Sequence, residues 1–277
     1  MKFGLRYCNS ARYVDPAEAI ALAQAAEAAG FESLWTVEHT VVPAGYASTY
    51  PYGTGGKLAG GKSDIALPDP LIWMAFVAAA TTRIKLATGI LILPQHNPVL
   101  AAKQIATLDH LSHGRILLGI GVGWLQEEFA ALGVPFAQRG ARTDEYIAAM
   151  RELWSAEAPA FKGRFVAFDG VYCRPQPINK SIPIIVGGHS EAAARRAGRL
   201  ADGFFPARGA PEQLITIVRK AAEAAGRDDL AELDALRRRG VARVLGPASD
   251  FFGLPSRIRG PEDLAGWSKV IEQYRDA

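Results

Sequence analysis

Apolar strand-like runs alternate with helical segments almost from end to end of the chain. Three of those runs, 86–93, 116–120 and 184–186, are apolar on both faces. A strand with one wet face alternates apolar and polar residues, whereas an unbroken apolar run needs cover on both sides. That is the pattern of a parallel sheet wrapped by helices. Repeated over 277 residues, it predicts an α/β protein of one domain, a (β/α)8 TIM barrel rather than an open sheet. Apolar residues make up 49% of the chain, enough for a large core.

The expected elements follow local signals. A strand covers 2–8. Asp15-Pro16, as N-cap and first helical position, opens a helix over 17–29 that Gly30 closes. A strand at 33–39 leads into a Gly- and Pro-rich insertion at about 40–68, then a helix over 70–81. Strand 85–93, helix 98–111 and strand 115–121 come next. Helical pieces near 126–132 and 142–154 precede a hairpin of 165–168 and 171–174 around Asp169-Gly170. Strand 182–186, helix 191–201, strand 203–206 and helix 212–225 continue the alternation. Beyond them 230–239 reads as helix, 241–245 as the last strand, 250–259 as loop and 262–274 as a closing helix. Seven strands are clear. Because 226–230 holds no apolar run, the seventh strand of an eight-stranded barrel is expected to be missing or shortened.

Bulk properties exclude several classes. The net charge is +3 and no arginine stripe alternates with aromatics, so no nucleic-acid partner is expected. No apolar run reaches about 18 residues, so no membrane span is expected. Two cysteines, Cys8 and Cys173, are too few for a disulfide framework and point to a reducing compartment, the cytoplasm. The first residues carry no signal-peptide apolar region.

In parallel barrels the reactive face lies at the carboxyl ends of the strands. His39, His96, 119–124 and 187–190 follow strands and are placed there. His110, His113, Lys85, Lys180 and Asp202 precede strands and belong to the opposite face. The pair His110-x-x-His113 beside Asp109 therefore reads as a cap or turn rather than a metal site. No lysine sits at a strand end for a Schiff base, no carboxylate–histidine cluster gathers there, and no Gly-x-Ser-x-Gly elbow occurs. Glycine, backbone and a few polar groups remain, which suits chemistry carried by a bound cofactor.

Four stretches carry that reading. In Gly187-Gly188-His189-Ser190 a strand ends in two glycines and a helix begins, an arrangement that fits a phosphate group. The alternative is a tight turn with Ser190 as N-cap. Gly121-Val122-Gly123 lacks the spacing of a dinucleotide fingerprint but leaves room for a flat ring or a phosphate tail. Trp124 after it either walls the substrate side or anchors a loop. Glu38 and His39 close a strand; they point to opposite faces unless the chain turns there. His39 can then hydrogen-bond a cofactor or donate a proton, with a buried structural histidine as the alternative. In Thr88-Gly89-Ile90 a glycine inside an apolar strand marks a bulge or a close ligand approach. The insertion, with Tyr46, Tyr50 and Tyr52, is expected to cover the substrate side.

In combination these stretches resemble the luciferase-like monooxygenase superfamily, and within it the branch of probable deazaflavin-dependent oxidoreductases. The resemblance extends over 121–133, over 139–145 with Trp154, over 97–109, over 168–170 and over 187–203, and covers roughly residues 1–226. It implies an isoalloxazine-type ring over the strand ends and a bulge at Gly89-Ile90, often with a non-prolyl cis peptide. It implies phosphate binding at 187–190, and it matches Glu38-His39 to the acidic residue and histidine near the ring. The implied activity is hydride transfer between coenzyme F420 and a small organic substrate. The alternatives are a reduced-FMN-dependent monooxygenase and a degenerate flavin-binding barrel. Where sugar-phosphate dehydrogenases of the superfamily carry a catalytic Glu, this chain has Trp124, which sets that substrate class in doubt. Family members are often dimers, and the Ala-rich helices around Ala75, 78–80, Ala101 and Ala102 are expected to form a homodimer face. Arg195, Arg196 and Arg208 are expected to draw the anionic tail of a deazaflavin, favouring it over FMN.

Overall fold

The doubly apolar runs lie side by side in one parallel sheet. The computed structural model describes residues 2–207, 212–227, 243–245 and 260–274. Its strands are β1 (Lys2–Arg6), β2 (Ser33–Thr36), β3 (Lys85–Thr88), β4 (Leu91–Ile92), β5 (Ile116–Gly121), β6 (Phe161–Lys162), β7 (Ala167–Phe168), β8 (Ile184–Gly188), β9 (Gly203–Pro206) and β10 (Arg243–Leu245). Apart from the antiparallel ribbon β6–β7, these strands run parallel in the order β10-β1-β2-β3-β5-β8-β9, with β4 paired to the far end of β5. The sheet curls into a half-barrel.

Helices α1 (Pro16–Ala29), α2 (Pro70–Ala78), α3 (Pro98–Leu111), α4 (Gln126–Ala131), α5 (Arg139–Ser155), α6 (Glu191–Leu200), α7 (Glu212–Ala224) and α8 (Trp267–Tyr274) complete it. The first three open on the same local device, an Asp or Asn followed by Pro. Asp15 accepts from the N–H groups of Ala17 and Glu18, Asp69 from Ile72, and Asn97 from Val99 and Leu100. Each cap satisfies N–H groups that a helix start leaves unpaired, while Pro has none to satisfy. Gly30, at φ 89°, closes α1 in the left-handed conformation that favours glycine.

Two apolar layers meet at the sheet. The outer layer packs α1, α2, α3, α5 and α6 against the strands. The inner one is small: Trp35, Ala87, Leu117 and Ile185, one residue each from β2, β3, β5 and β8, with Phe205 of β9 against them. The Trp35 and Phe205 rings lie 5.5 Å apart. This plug fills the inside of the curl and forms the base on which the site rests. Below it Arg115 is buried, with no carboxylate paired to it among the described residues; it donates to the carbonyls of Ala78, Thr81, Ile84 and Ser112, closing the end of α2.

Several expectations change. The strand predicted over 33–39 leaves the sheet after Thr36, so strict alternation does not govern Glu38 and His39. The run 85–93 is two strands interrupted at Gly89-Ile90, whose peptide is cis. The hairpin forms between 161–162 and 167–168, one turn earlier than predicted. Glu145 decides this by accepting from the N–H groups of Arg164, Phe165 and Val166 and so shaping the turn there. The insertion 40–68 holds no α-helix or strand, only 3-10 turns at Thr54–Gly56 and Leu58–Gly61. The last strand is present as β10, parallel to β1. The helix expected over 230–239 and the loop over 250–259 lie outside the described residues, as does Arg208.

Candidate functional site

A cavity of about 1250 Å³ opens above the carboxyl ends of the strands. Its floor is the break between β3 and β4. A Cβ on Gly187 would stand 2.5 Å from Cγ2 of Ile90, and one on Gly121 2.7 Å from its Cδ1. These two glycines therefore make room for the Ile90 side chain, which lies between β5 and β8 in the floor. A side chain on Gly89 would press on Trp35 at 3.1 Å, so the interior plug rises directly against the floor. Thr88 does not line the cavity; it is buried and its hydroxyl donates to the Gly119 carbonyl at 2.6 Å. Gly123, at φ 77°, turns the chain out of β5 between Ile92 and Phe129.

Glu38 and His39 both reach the cavity wall because the strand has ended before them. Their partners differ. Both oxygens of Glu38 are engaged: Oε2 accepts from the Ile92 N–H, and Oε1 lies 2.8 Å from Nε2 of His96. His39 turns the other way, with Nδ1 2.9 Å from Oε2 of Glu128. The remaining oxygen of Glu128 accepts from the N–H groups of Thr40 at 2.7 Å and Val41 at 3.3 Å.

Trp124 is both a wall and an anchor. It lines the cavity, and it also anchors the insertion, with the rings of Tyr50, Tyr46 and His39 at 5.1, 5.5 and 5.8 Å. Of the tyrosines, Tyr50 and Tyr52 line the cavity. Tyr46 does not: it packs behind Trp124, and its hydroxyl accepts from the Leu58 N–H at 2.8 Å. Glu127 holds the same loop, accepting from Ala47 N–H, Ser48 N–H and the Ser48 hydroxyl. These hydrogen bonds, the Ser48 hydroxyl foremost, hold the Glu127 carboxyl down to about 2.

Gly187, Gly188, His189 and Ser190 line the opposite wall, where α6 begins. Ser190 is the N-cap of α6 and accepts from the Ala193 N–H at 3.2 Å. Val122 and Gly123 complete the rim between this wall and Trp124. Two arginines stand beside the α6 start. Arg196 is buried and pairs with Asp144; Gly140 leaves space for it, since a Cβ there would meet its terminal nitrogen at 2.9 Å. Arg139 lies over the Phe136 ring at 3.8 Å and donates to the Gly123 carbonyl, with no carboxylate paired to it among the described residues. Burial pushes its titration down. Arg195 faces away and pairs with Glu191. Gly188, at φ 144°, has no room for a side chain, because a Cβ would meet that of Ala193 at 2.8 Å.

Glu127, Glu128 and Arg139 were not singled out from sequence. The signal was present, because 126–128 follows a strand on the reactive face, yet nothing local tells which loop two adjacent acids will hold. On the opposite face Asp109 accepts from the Ile178 N–H, and His113 sits in a turn at φ 57°. Among the described residues no group of three or more His, Cys, Asp or Glu side chains could hold a metal ion, and no helix is long and apolar enough to cross a membrane.

The sequence pattern of the luciferase-like monooxygenases matches residues 4–236. An uncharacterized protein of Mycobacterium tuberculosis is 35% identical over 266 residues, 93% of each chain. The FMNH2-dependent dimethylsulfone monooxygenase of Pseudomonas fluorescens is 32% identical, covering 92% of this chain and 72% of the relative. The F420-dependent glucose-6-phosphate dehydrogenase of Gordonia bronchialis is 33% identical, covering 82% and 64%. Among solved structures, an F420-dependent secondary alcohol dehydrogenase superposes with a TM-score of 0.68 at 21% identity, over 97% of this chain and 81% of the other.

Proposed function

The chain belongs to the luciferase-like monooxygenase family, and on that premise we propose that it is an oxidoreductase moving a hydride between coenzyme F420 and a small organic substrate. The observation that carries this is His39: a carboxylate-backed imidazole in the wall of a large cavity, beside Trp124. Hydride transfer to or from a carbonyl carbon also moves a proton, and a histidine there can hold it. Bound in this cavity, a deazaflavin supplies the hydride chemistry itself.

The residues fit such a group. Ile90, Gly121, Val122 and Gly123 would border its ring. Gly188, His189 and Ser190 at the start of α6, with Arg139 and Arg196, would take its phosphate. Glu38, with both oxygens engaged, fixes the turn after β4 rather than offering a free base. Trp124, Tyr50 and Tyr52 give the substrate end an aromatic wall, which suits a neutral organic molecule better than a sugar phosphate. We take the curled sheet as part of a (β/α)8 barrel with this cavity at its reactive face. Both cysteines are free and buried, in keeping with work in the cytoplasm.

A second reading is a reduced-FMN-dependent monooxygenase. Its support is the apolar cover of Ile65, Leu67, Tyr50 and Tyr52, which would keep water from a reactive flavin. Equilibrium titration of the apo-protein with each cofactor separates the two. Coenzyme F420 is expected to bind more tightly; tighter FMN binding would make the monooxygenase the better reading.

We also propose a homodimer through α2 and α3, in which Ala75 and Ala79 of the Ala-rich set face outward beside larger apolar side chains. Ala78, Ala101 and Ala102 are core residues, while Ile72 and Leu100 are 72% and 57% exposed and Phe76 and Val99 also face outward.

A further inference from the structure

We infer that Glu128 is the positioning residue of this site: it fixes the His39 ring in the tautomer that carries its proton on Nδ1 and leaves Nε2 an acceptor on the cavity side. The inference rests on the proposed role of His39 and identifies the group that prepares it for that role.

The two side chains come from distant elements. His39 lies just past β2 and Glu128 in the first turn of α4, 89 positions later. The Glu128 side chain is fully buried and that of His39 nearly so. A buried carboxylate must find donors for its oxygens. Oε1 is supplied by the N–H groups of Thr40 and Val41, and the donor left for Oε2 is Nδ1 of His39 at 2.9 Å. Because the carboxylate is placed as an acceptor, the hydrogen between the pair belongs to Nδ1. In the neutral imidazole Nε2 then bears the lone pair. Trp124 meets the ring edge-on, at 84° between planes, and limits its rotation.

Glu38, the acid next to His39 in the chain, cannot serve, since Ile92 and His96 occupy it. One carboxylate of α4 therefore has two tasks, holding the start of the insertion and setting the proton of the ring. A purely structural role would stop at the first task, and Glu128→Gln tells them apart. Its carbonyl oxygen can still accept from Thr40 and Val41, but its amide NH2 would face Nδ1. The ring would then have to accept at Nδ1 and carry its proton on Nε2.

The test is a long-range 1H–15N correlation spectrum of the full chain with 15N-labelled histidine, at about pH 9, above the ordinary histidine range. His39 is assigned by loss of its signals in His39→Gln. The wild type is expected to show the Nδ1–H form, and Glu128→Gln the Nε2–H form with an unchanged melting temperature. An Nε2–H ring in the wild type, a ring still doubly protonated there, or the wild-type tautomer in folded Glu128→Gln would each overturn the inference. If Glu128→Gln does not fold, the wild-type spectrum decides. No cofactor or substrate enters the measurement, so its failure is distinct from a failure of the cofactor titration.

Discussion

Nε2 of His96 lies 2.8 Å from Oε1 of Glu38, and this contact fastens the chain after β4 to the chain after β2. Burial favours the neutral ring, but the hydrogen bond to Glu38 and the charges of Glu38, Asp69 and Glu128 outweigh it and hold His96 above the ordinary histidine value of 6.5. A group whose titration is raised by folding stabilises the fold below its unfolded value and loses that contribution as pH rises through its folded value. The melting temperature is therefore expected to fall as pH rises from about 6 through the range above 6.5, and His96→Gln to flatten that fall. A rising wild-type curve, or an equal slope in the variant, would count against the account.

His39→Ala is expected to lower kcat or cofactor affinity by more than tenfold, about 1.4 kcal/mol or more. Steady-state kinetics and cofactor titration read the two separately. Unchanged values in both would remove His39 from the chemistry.

Gly187→Ala is expected to destabilise by about 1–3 kcal/mol, because its Cβ would stand 2.5 Å from Cγ2 of Ile90. Ile90→Ala takes that atom away, so the double variant should recover about 1 kcal/mol relative to the sum of the single ones. Additive losses in a double-mutant cycle would mean that the two residues do not meet. Gly188 is the poorer probe of the proposed phosphate wall, since its substitution would push Ala193 and α6.

Glu127→Gln is expected to loosen the insertion without lowering the melting temperature much. The carboxylate holds Ala47 and Ser48, and with its titration lowered to about 2 it keeps that hold well into acid. Limited proteolysis at neutral pH should cut the variant within 40–68 faster than the wild type. Equal cutting rates would show that Glu127 is not the latch.

Ile72→Glu is expected to yield monomers, because it puts a charge in the centre of the exposed α2–α3 face. Light scattering at micromolar concentration should report a dimer for the wild type. A monomeric wild type would refute the interface.

The parts of the site that were legible in sequence are those governed by neighbours along the chain. The order of strands and helices placed His39, 121–124 and 187–190 on one face, and the Gly89-Ile90 break showed as a glycine in an apolar run. Thr88 and Tyr46 stand apart from the cavity because their hydroxyls meet a carbonyl of β5 and an N–H of the insertion, partners that no local pattern names.

The sequence by itself determined where helices begin and which runs must be buried. Asp15-Pro16, Asp69-Pro70 and Asn97-Pro98 each complete their caps within three residues, and a run apolar on both faces has only one kind of place to go. Tertiary structure alone decided which groups meet. Glu128 finds His39 across 89 positions, and Ile90 fills the space left by Gly121 and Gly187 on two other strands. The physical reason is range. A cap or a strand is set by backbone geometry and hydrogen bonds a few residues apart, whereas a side-chain partner depends on strand register and on how each loop leaves the sheet. Both are settled only when the whole curl packs around Trp35, Ala87, Leu117 and Ile185.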